Sequence, residues 1–315
     1  MNFLRYTCKR LLHLVPVLLG ISLLAFLLGV LSPGDPARMA LSQGVNEPTQ
    51  EEVDKKREEL GLNDPLYVQY GRWLAGALQG NLGTSYLTKK PVSQELLRRA
   101  PITIRVALFS FGMVLVLGIL GGVFLASGRR GILHQIVNGF SVAVISIPGF
   151  CVSLLLIWIF SERLRILPTS GASGWKSYIM PAAALALPTI GSVMRLTQSS
   201  IEKELGRQYV EAAVSKGFRN SYIIVKHVLR NSLVPVVTVI GNFLGGILGG
   251  AAVIEGIFSL PGLGSYALTA ISGRDYPALQ GYVLITGVVF VVLHFLVDLI
   301  SYGLNPQIQL EVERS

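Results

Sequence analysis

Charged residues are scarce in this sequence. Only 14% of the 315 residues are charged, 51% are hydrophobic, and the mean hydropathy is +0.56. Such a composition excludes an ordinary soluble domain of this length. Instead, runs of about 20 uncharged, mostly apolar residues recur, and each is long enough to cross a hydrocarbon core about 30 Å thick. The composition therefore indicates an all-α integral membrane protein with several spans.

Cysteine is also nearly absent. Cys8 and Cys151 lie in different segments and form no CxxC pattern. This spacing excludes a disulfide framework and gives no support for a zinc site. It is typical of one juxtamembrane thiol and one buried thiol. The first apolar run is too long for a signal-peptide core, and no small-residue cleavage site follows it, so we expect it to remain as the first span.

Six membrane spans are the most economical interpretation of the apolar runs. The fourth is short and contains Pro181 and Pro188, so we expect it to be kinked or packed inside the bundle. The six predicted spans are Leu11 to Leu31, Val106 to Ala126, Ile136 to Phe160, Tyr178 to Met194, Ser232 to Ile254, and Gly281 to Tyr302.

The distribution of lysine and arginine predicts that both termini are cytoplasmic. With the N-terminus inside, twelve basic residues of the short connections fall on the cytoplasmic side, seven of them between Arg195 and Arg230. Cytoplasmic loops are the ones that carry such an excess. The net charge of +9 is then a consequence of topology and does not require a nucleic-acid partner. The short outer loops hold four basic residues, which are Arg163, Arg165, Lys176 and Arg274.

Residues 32–101 are predicted to form a small folded cap on the outer face. The segment begins with a Pro-Gly-Asp-Pro turn at Pro33 to Pro36. Thr49 and Glu52 have the spacing of a capping box, which predicts a polar helix that Gly61 should end. The segment carries nine acidic and nine basic residues, so its charge is balanced. A structural role and a binding role for this cap both remain open.

The polar, basic stretch between spans four and five, residues 195–231, is the segment most indicative of function. Tyr209, Val210, Ala213 and Val214 are predicted to share one helical face, and Gly217 to end that helix. Such a helix–turn–helix, joined at both ends to spans, can convert movement of a docked partner into rotation of the spans. A solvated amphipathic linker or a basic helix on the membrane surface is the alternative. We call residues 195–231 the coupling segment.

We expect a second helix in the coupling segment, from Tyr222 to Arg230, with Asn220 or Ser221 as its cap. In the first helix, Glu211 is predicted to be exposed and available for an ion pair with a partner. The small side chains of Ala212 and Ala213 would let that helix sit in a shallow groove of another protein.

The stretch Glu211-Ala212-Ala213 followed by Gly217 resembles the EAA-x3-G loop by which the membrane subunits of ABC importers dock onto their ATPases. The run from His227 to Asn231 resembles the peptide/nickel branch, in which His227 and Arg230 depart from the general family and Leu229 matches it. The resemblance extends along nearly the whole chain. Matching stretches include Lys9 to Leu12 with Pro16, Ser32 to Ala37, Leu60 to Leu66, Gln69-Tyr70, Gly80 to Gly83, Ile254 to Phe258, Pro261 to Gly264, and Arg274 to Pro277.

The resemblance implies a type I ABC importer transmembrane domain of about six helices with a cytoplasmic coupling helix. Its divisions would be the first helix at 1–31, the cap at 32–101, the transmembrane core at 102–303 with its coupling loop at 196–231, and a cytoplasmic tail at 304–315. It further implies a second homologous permease, two ATP-binding subunits, an extracytoplasmic solute-binding protein, and a bacterial or archaeal plasma membrane. The chain would not be an enzyme, since it lacks the G-x4-G-K-[ST] loop that cradles ATP phosphates; ATP and Mg²⁺ would bind the partner subunits.

Two further groups of ionisable residues are candidate sites. Glu255, with Arg274 and Asp275, borders a predicted outer loop that would form an outer gate or a docking surface for the delivery protein. His294 and Asp298 lie four residues apart in span six, on one face of the helix. We interpret these two as a mutual structural pair, because buried charges in membranes usually face each other or the bundle interior. A metal or cargo site at His294 and Asp298 is the weaker alternative.

Five glycines in span five give overlapping G-x3-G spacings, which favour close helix packing and are compatible with lining a path. They are Gly241, Gly245, Gly246, Gly249 and Gly250.

Two other function classes compete with the importer hypothesis. A secondary transporter or channel would show paired intramembrane charges in two related halves, and no inverted repeat is evident. An intramembrane hydrolase would need a partner for Ser173, whose Gly-Ala-Ser-Gly surroundings resemble a nucleophile turn only superficially. Within the importer hypothesis the cargo stays open among dipeptides, oligopeptides, nickel and metal chelates. The sequence of the loop from Pro168 to Trp175 resembles nickel or metal-chelate relatives slightly more than peptide relatives.

Overall fold

The computed structural model describes residues 3–31, 34–41, 48–127, 131–218, 220–223 and 228–304. These residues are mostly helical. The α-helices in chain order are α1 Phe3–Val30, α2 Pro36–Leu41, α3 Gln50–Glu59, α4 Leu66–Leu78, α5 Val92–Met113, α6 Ile119–Ala126, α7 Ile132–Ser146, α8 Gly149–Leu156, α9 Ile179–Leu205, α10 Gln208–Ser215, α11 Asn220–Ile223, α12 Leu229–Ile257, α13 Leu263–Ser272 and α14 Tyr276–Leu304.

Four described helical stretches are long and apolar enough to span a membrane. Two bent helix pairs raise the number to as many as six, in agreement with the prediction. α5 continues through a π-helical segment at Val114–Gly118 into α6, so the second span begins at Val92 and includes the end of the predicted cap. Hydropathy predicted a later start for this span, at Val106, because Arg98, Arg99 and Arg105 interrupt the apolar run. The four stretches are Arg10–Val30, Val92–Ala126, Trp175–Leu205 and Tyr276–Ser301.

The third predicted span, Ile136 to Phe160, is not a continuous helix. α7 ends at Ser146, α8 begins at Gly149, and the two segments meet at an angle of 114°. The cause is Pro148, because a proline disfavours helical geometry in the residue before it. Ile147 is accordingly extended, with ψ of 123°. The uninterrupted apolar run concealed this break, so the predicted span consists of two helices joined at a bend.

α9 is the central helix of the bundle and contacts α5, α6, α7, α8 and α12. Half of the residues in its most apolar window are buried, whereas only 6% are buried in the corresponding window of α14. Close packing depends on Gly191, where a Cβ would lie 2.5 Å from the carbonyl oxygen of Ser141 on α7. Pro188 lies within the helix. The fourth span is therefore packed inside the bundle, as predicted.

The cap contains α2, α3 and α4. The capping box of α3 is present, since the Thr49 hydroxyl accepts from the Glu52 N–H and the Glu52 carboxylate accepts from the Thr49 N–H at 2.8 Å. α3 ends at Glu59, and Gly61 follows in the left-handed conformation with φ of +63°. α4 packs on α1 through Phe26, whose ring lies 5.5 Å from that of Tyr70. The cap is thus attached to the C-terminal end of α1.

Candidate functional site

The coupling segment is partly an extension of the fourth span. α9 runs eleven residues beyond Met194 and ends at Leu205, so the boundary predicted at residue 196 falls inside a helix. α10 then covers Gln208–Ser215, and α11 covers Asn220–Ile223. α12 begins at Leu229. Residues 224–227 of the predicted second helix, His227 among them, lie outside the described residues. The segment thus lies between two long helices and contains two short ones.

One side of α10 is anchored to the protein. Val210 is buried, and it shares a small apolar cluster with Ile201 of α9, Ile223 of α11 and Val228. Ala213 is half-buried and packs against the same cluster. Because these contacts join α10 to the ends of both neighbouring long helices, a force on α10 is transmitted directly to α9 and α12.

The opposite side of α10 is exposed. Glu211, Ala212 and Ser215 face solvent, and Val214 is 51% exposed. The face predicted for Tyr209, Val210, Ala213 and Val214 is only partly buried, since Val210 is buried and Ala213 half-buried whereas Tyr209 and Val214 are exposed. Phe218 and Tyr222 extend the exposed surface, with stacked rings 5.4 Å apart. A ridge of small and apolar side chains beside one carboxylate is a surface that another protein can cover.

Gly217 reverses the chain after α10. Its φ is +79°, a conformation that side chains with a Cβ rarely adopt. The Gly217 N–H donates to the carbonyl of Val214 at 2.9 Å, and the Phe218 N–H donates to that of Ala213 at 3.3 Å. These bonds satisfy carbonyls that the helix end leaves open. The structure thus confirms that Gly217 ends the helix.

The start of α10 is fixed by polar contacts to the end of α9. The Tyr209 hydroxyl donates to the Glu204 carboxylate at 2.8 Å, and Arg207 pairs with the same carboxylate at 3.5 Å. Burial, followed by the hydrogen bond to Glu204, raises the pKa of Tyr209. The phenol therefore stays protonated at physiological pH and keeps its role as a donor.

Glu255 is fully buried near the C-terminal end of α12. Its carboxylate accepts from the Thr103 hydroxyl at 2.6 Å and from the Ser265 N–H at 2.9 Å. Thr103 in turn accepts from the Leu263 N–H at 2.8 Å. Glu255 therefore joins α5, α12 and the start of α13, and its side chain has no surface to offer a partner in this conformation.

Asp275 is buried in a second network, between α13 and α14. Its carboxylate accepts from the Ser85 hydroxyl at 2.5 Å, from the Tyr86 N–H at 2.9 Å and from the Leu87 N–H at 3.3 Å. The contacts hold a turn of the cap against the transmembrane core. Of the residues predicted for an outer docking surface, Glu255 and Asp275 are internal, and only Arg274 is exposed, with φ of +52°.

His294 and Asp298 do not form the predicted pair. The Asp298 carboxylate lies 3.1 Å from the Arg10 guanidinium of α1. His294 Nε2 is 3.1 Å from the amide oxygen of Asn242 on α12, and Nδ1 is 3.2 Å from the Phe290 carbonyl. Each residue instead joins α14 to a different neighbouring helix. The i, i+4 spacing misled because it takes no account of polar groups on other helices.

Sequence reasoning missed the partners in these networks. Thr103, Ser85, Arg10 and Asn242 are separated from the residues they contact by 52 to 288 positions in the chain. Arg10 and Asn242 did carry a signal, since each is a polar group within or beside an apolar run. Thr103 and Ser85 carried none, because hydroxyls are common in such segments.

The comparisons with known proteins agree with this geometry. Residues 118–310 match the family described as "Binding-protein-dependent transport system inner membrane component", and residues 3–107 match its N-terminal family. The chain is 39% identical to the glutathione transport system permease protein GsiC of Pectobacterium atrosepticum and 34% identical to that of Escherichia coli K12, each over 97% of this chain and 99% of the relative.

Among solved structures, the fold resembles the inward-facing MetNI methionine ABC transporter, with a TM-score of 0.56 and 18% identity. The match covers 67% of this chain and 96% of that chain. At this identity the likeness concerns the fold. The chain therefore belongs to the binding-protein-dependent transport system inner membrane components, as a multi-pass ABC importer permease of the peptide/nickel type with the type I importer fold.

Proposed function

We propose that this permease imports short peptides of the glutathione class with the help of four kinds of partner: a second homologous permease, two ATP-binding subunits, an extracytoplasmic delivery protein and the surrounding lipid. ATP hydrolysis takes place on the ATP-binding subunits, where ATP and Mg²⁺ bind. The observation that carries the proposal is the exposed ridge on α10, anchored from behind to α9 and α12.

The coupling step follows from this anchoring. Closure of the ATP-binding subunits displaces α10, and the apolar cluster around Val210 carries the displacement to the inner ends of α9 and α12. Those helices move as rigid bodies, which opens the translocation path between the two permeases toward the outside. Hydrolysis releases the subunits and returns the helices to the inward-facing arrangement. Glu211 supplies a carboxylate on the exposed side for an ion pair across the interface.

The proposed orientation places both termini and the coupling segment in the cytoplasm. The excess of lysine and arginine on that side supports it. In this orientation the cap and the loop at Arg274 face the delivery protein. Glu255 and Asp275 act from inside, by holding α13 and the cap in position, whereas Arg274 is available for contact.

A peptide cargo is favoured by the relatives, whose name specifies glutathione, a tripeptide. Nickel, which the sequence left nearly level with peptides, has no comparable support. His294 and Asp298, its weak candidate ligands, are engaged with Asn242 and Arg10.

The test is uptake by the complete importer, reconstituted in proteoliposomes with its delivery protein and ATP. We expect ATP-dependent accumulation of glutathione, weaker accumulation of dipeptides, and none of Ni²⁺. Replacement Glu211→Arg should reduce uptake about tenfold, because a reversed charge at a partly desolvated interface costs more than 1.4 kcal/mol. Uptake of Ni²⁺ alone, or uptake of glutathione without the ATP-binding subunits, would contradict the proposal.

A further inference from the structure

A cavity of about 800 Å³ lies between the cap and the outer ends of α1 and α14. Its volume is within the range of small-molecule sites, roughly 300–1,000 Å³. The walls come from α1, the end of α3, α4, the turn after α4 and the start of α14, so all the elements that hold the cap contribute to it. The coupling mechanism makes no use of this space.

The charged groups lining the cavity are one carboxylate and two guanidinium groups. The Asp35 carboxylate accepts from Arg57 at 2.9 Å and from the Ala37 N–H at 3.1 Å. Arg72 pairs at 2.6 Å with Asp64, a residue of a neighbouring pocket. These ion pairs engage one terminal nitrogen of each guanidinium group, which has five N–H donors in all. Asp64 also orients Arg72 at the mouth of the cavity.

The remaining walls combine aliphatic side chains with aromatic and amide side chains. Phe26 and Trp73 lie 6.0 Å apart between ring centroids, and Tyr86 and Tyr276 complete the aromatic part. Burial, together with the nearby Asp275 and Asp35 carboxylates, raises the pKa of Tyr86 to about 12. Its hydroxyl therefore remains a hydrogen-bond donor at neutral pH. Aromatic faces beside fixed charges are typical of sites for small zwitterions.

We propose that this cavity is a second binding site for cargo on the permease itself, specific for a short peptide with two carboxylates and one ammonium group. Arg57 and Arg72 bind the two carboxylates, and Asp35 together with the Trp73 face binds the ammonium group. The two guanidinium groups and one carboxylate of the lining are the counterparts of the two carboxylates and one ammonium group of such a peptide. The inference rests on the proposed function and adds a binding site to it.

The experiment measures equilibrium binding of radiolabelled glutathione to the complete importer in lipid nanodiscs, without delivery protein and without nucleotide. We expect saturable binding, and binding at least about a hundredfold weaker for glutathione whose two carboxylates are both converted to amides, because the charge-assisted hydrogen bonds to both arginines are then lost. Arg57→Gln combined with Arg72→Gln should weaken binding by at least about tenfold. Lys55→Gln is the matched control, since this exposed lysine lies two residues from Arg57 and outside the cavity lining.

A second variant separates loss of charge from loss of fold. Leu66 is 54% exposed where it lines the cavity, so Leu66→Trp fills the space while every ion pair stays in place. Binding lost in both variants and kept in Lys55→Gln supports the site. Absence of saturable binding, or equal binding in all variants, overturns it. ATP-driven uptake that persists when this binding is absent would refute the second site and leave the proposed importer function standing.

Discussion

At the scale of single residues, the backbone conformation of Gly217 is the feature most open to test. A Cβ at this position would meet no atom within 4 Å, so a substitution there acts through φ alone. Valine in a left-handed conformation costs about 1–3 kcal/mol, which disfavours the turn that presents α10. We predict that Gly217→Val reduces ATP-driven uptake about tenfold in reconstituted importer.

Asparagine provides the control for that prediction. It tolerates the left-handed region better than other side chains that carry a Cβ. Gly217→Asn should therefore retain most of the uptake. If both variants lost uptake equally, the backbone conformation at residue 217 would not be the cause. The loss would then come from a changed contact between residue 217 and the partner.

Asp275 and Arg274 are neighbours with different expected roles. Asp275 accepts three hydrogen bonds from the turn at Ser85 to Leu87, so Asp275→Asn should destabilise the protein by about 2–3 kcal/mol.

Arg274 is exposed, and Arg274→Ala should leave the melting temperature nearly unchanged while it lowers uptake that depends on the delivery protein. Thermal unfolding in detergent, measured beside uptake, distinguishes the two. Undiminished uptake in Arg274→Ala would remove the docking role.

At the scale of elements, the contact between α7 and α9 determines how α9 can be buried. Gly191→Ala would place a methyl group 2.5 Å from the Ser141 carbonyl oxygen, with Val144 and Ile145 nearly as close. We predict a loss of about 1–3 kcal/mol, the usual effect of overpacking. The loss should appear as a lower unfolding temperature in detergent.

Gly139 on α7 is the matched control, because a Cβ there would meet no atom within 4 Å. Gly139→Ala should be neutral or stabilising by about 0.4–1 kcal/mol, since alanine is the better helix former. If both substitutions behaved alike, the close approach of α7 and α9 would not be what restricts residue 191.

At the scale of the whole molecule, the predicted orientation puts the cap outside the cell and the coupling segment in the cytoplasm. In a background with Cys8→Ser and Cys151→Ser, we predict that a cysteine replacing Lys55 reacts with an impermeant maleimide from outside. A cysteine replacing Lys216 should react only after the membrane is opened, because Lys216 lies in the coupling segment. Both side chains are exposed, so reactivity reports sidedness. Labelling of Lys216→Cys in intact cells would contradict the predicted topology and indicate the opposite orientation.

The prediction of the fold from sequence succeeded where the signal is local. Apolar runs located the spans, the capping box located α3, and Gly217 located the end of α10, because each depends on residues within a few positions of one another. The bend at Pro148 was missed even though its cause is local. A proline within an apolar run is compatible with either a kink or a break, and packing decides between them.

The sequence by itself therefore determined the class of protein, the apolar stretches that can span a membrane and the position of α10, because hydropathy and backbone preference act along the chain. Only the tertiary structure decided which polar groups meet. Glu255 with Thr103, Asp275 with Ser85 and Asp298 with Arg10 are each brought together from distant parts of the chain. A buried or membrane-embedded polar group takes whatever partner packing places within reach, and helix spacing on one element cannot specify that partner.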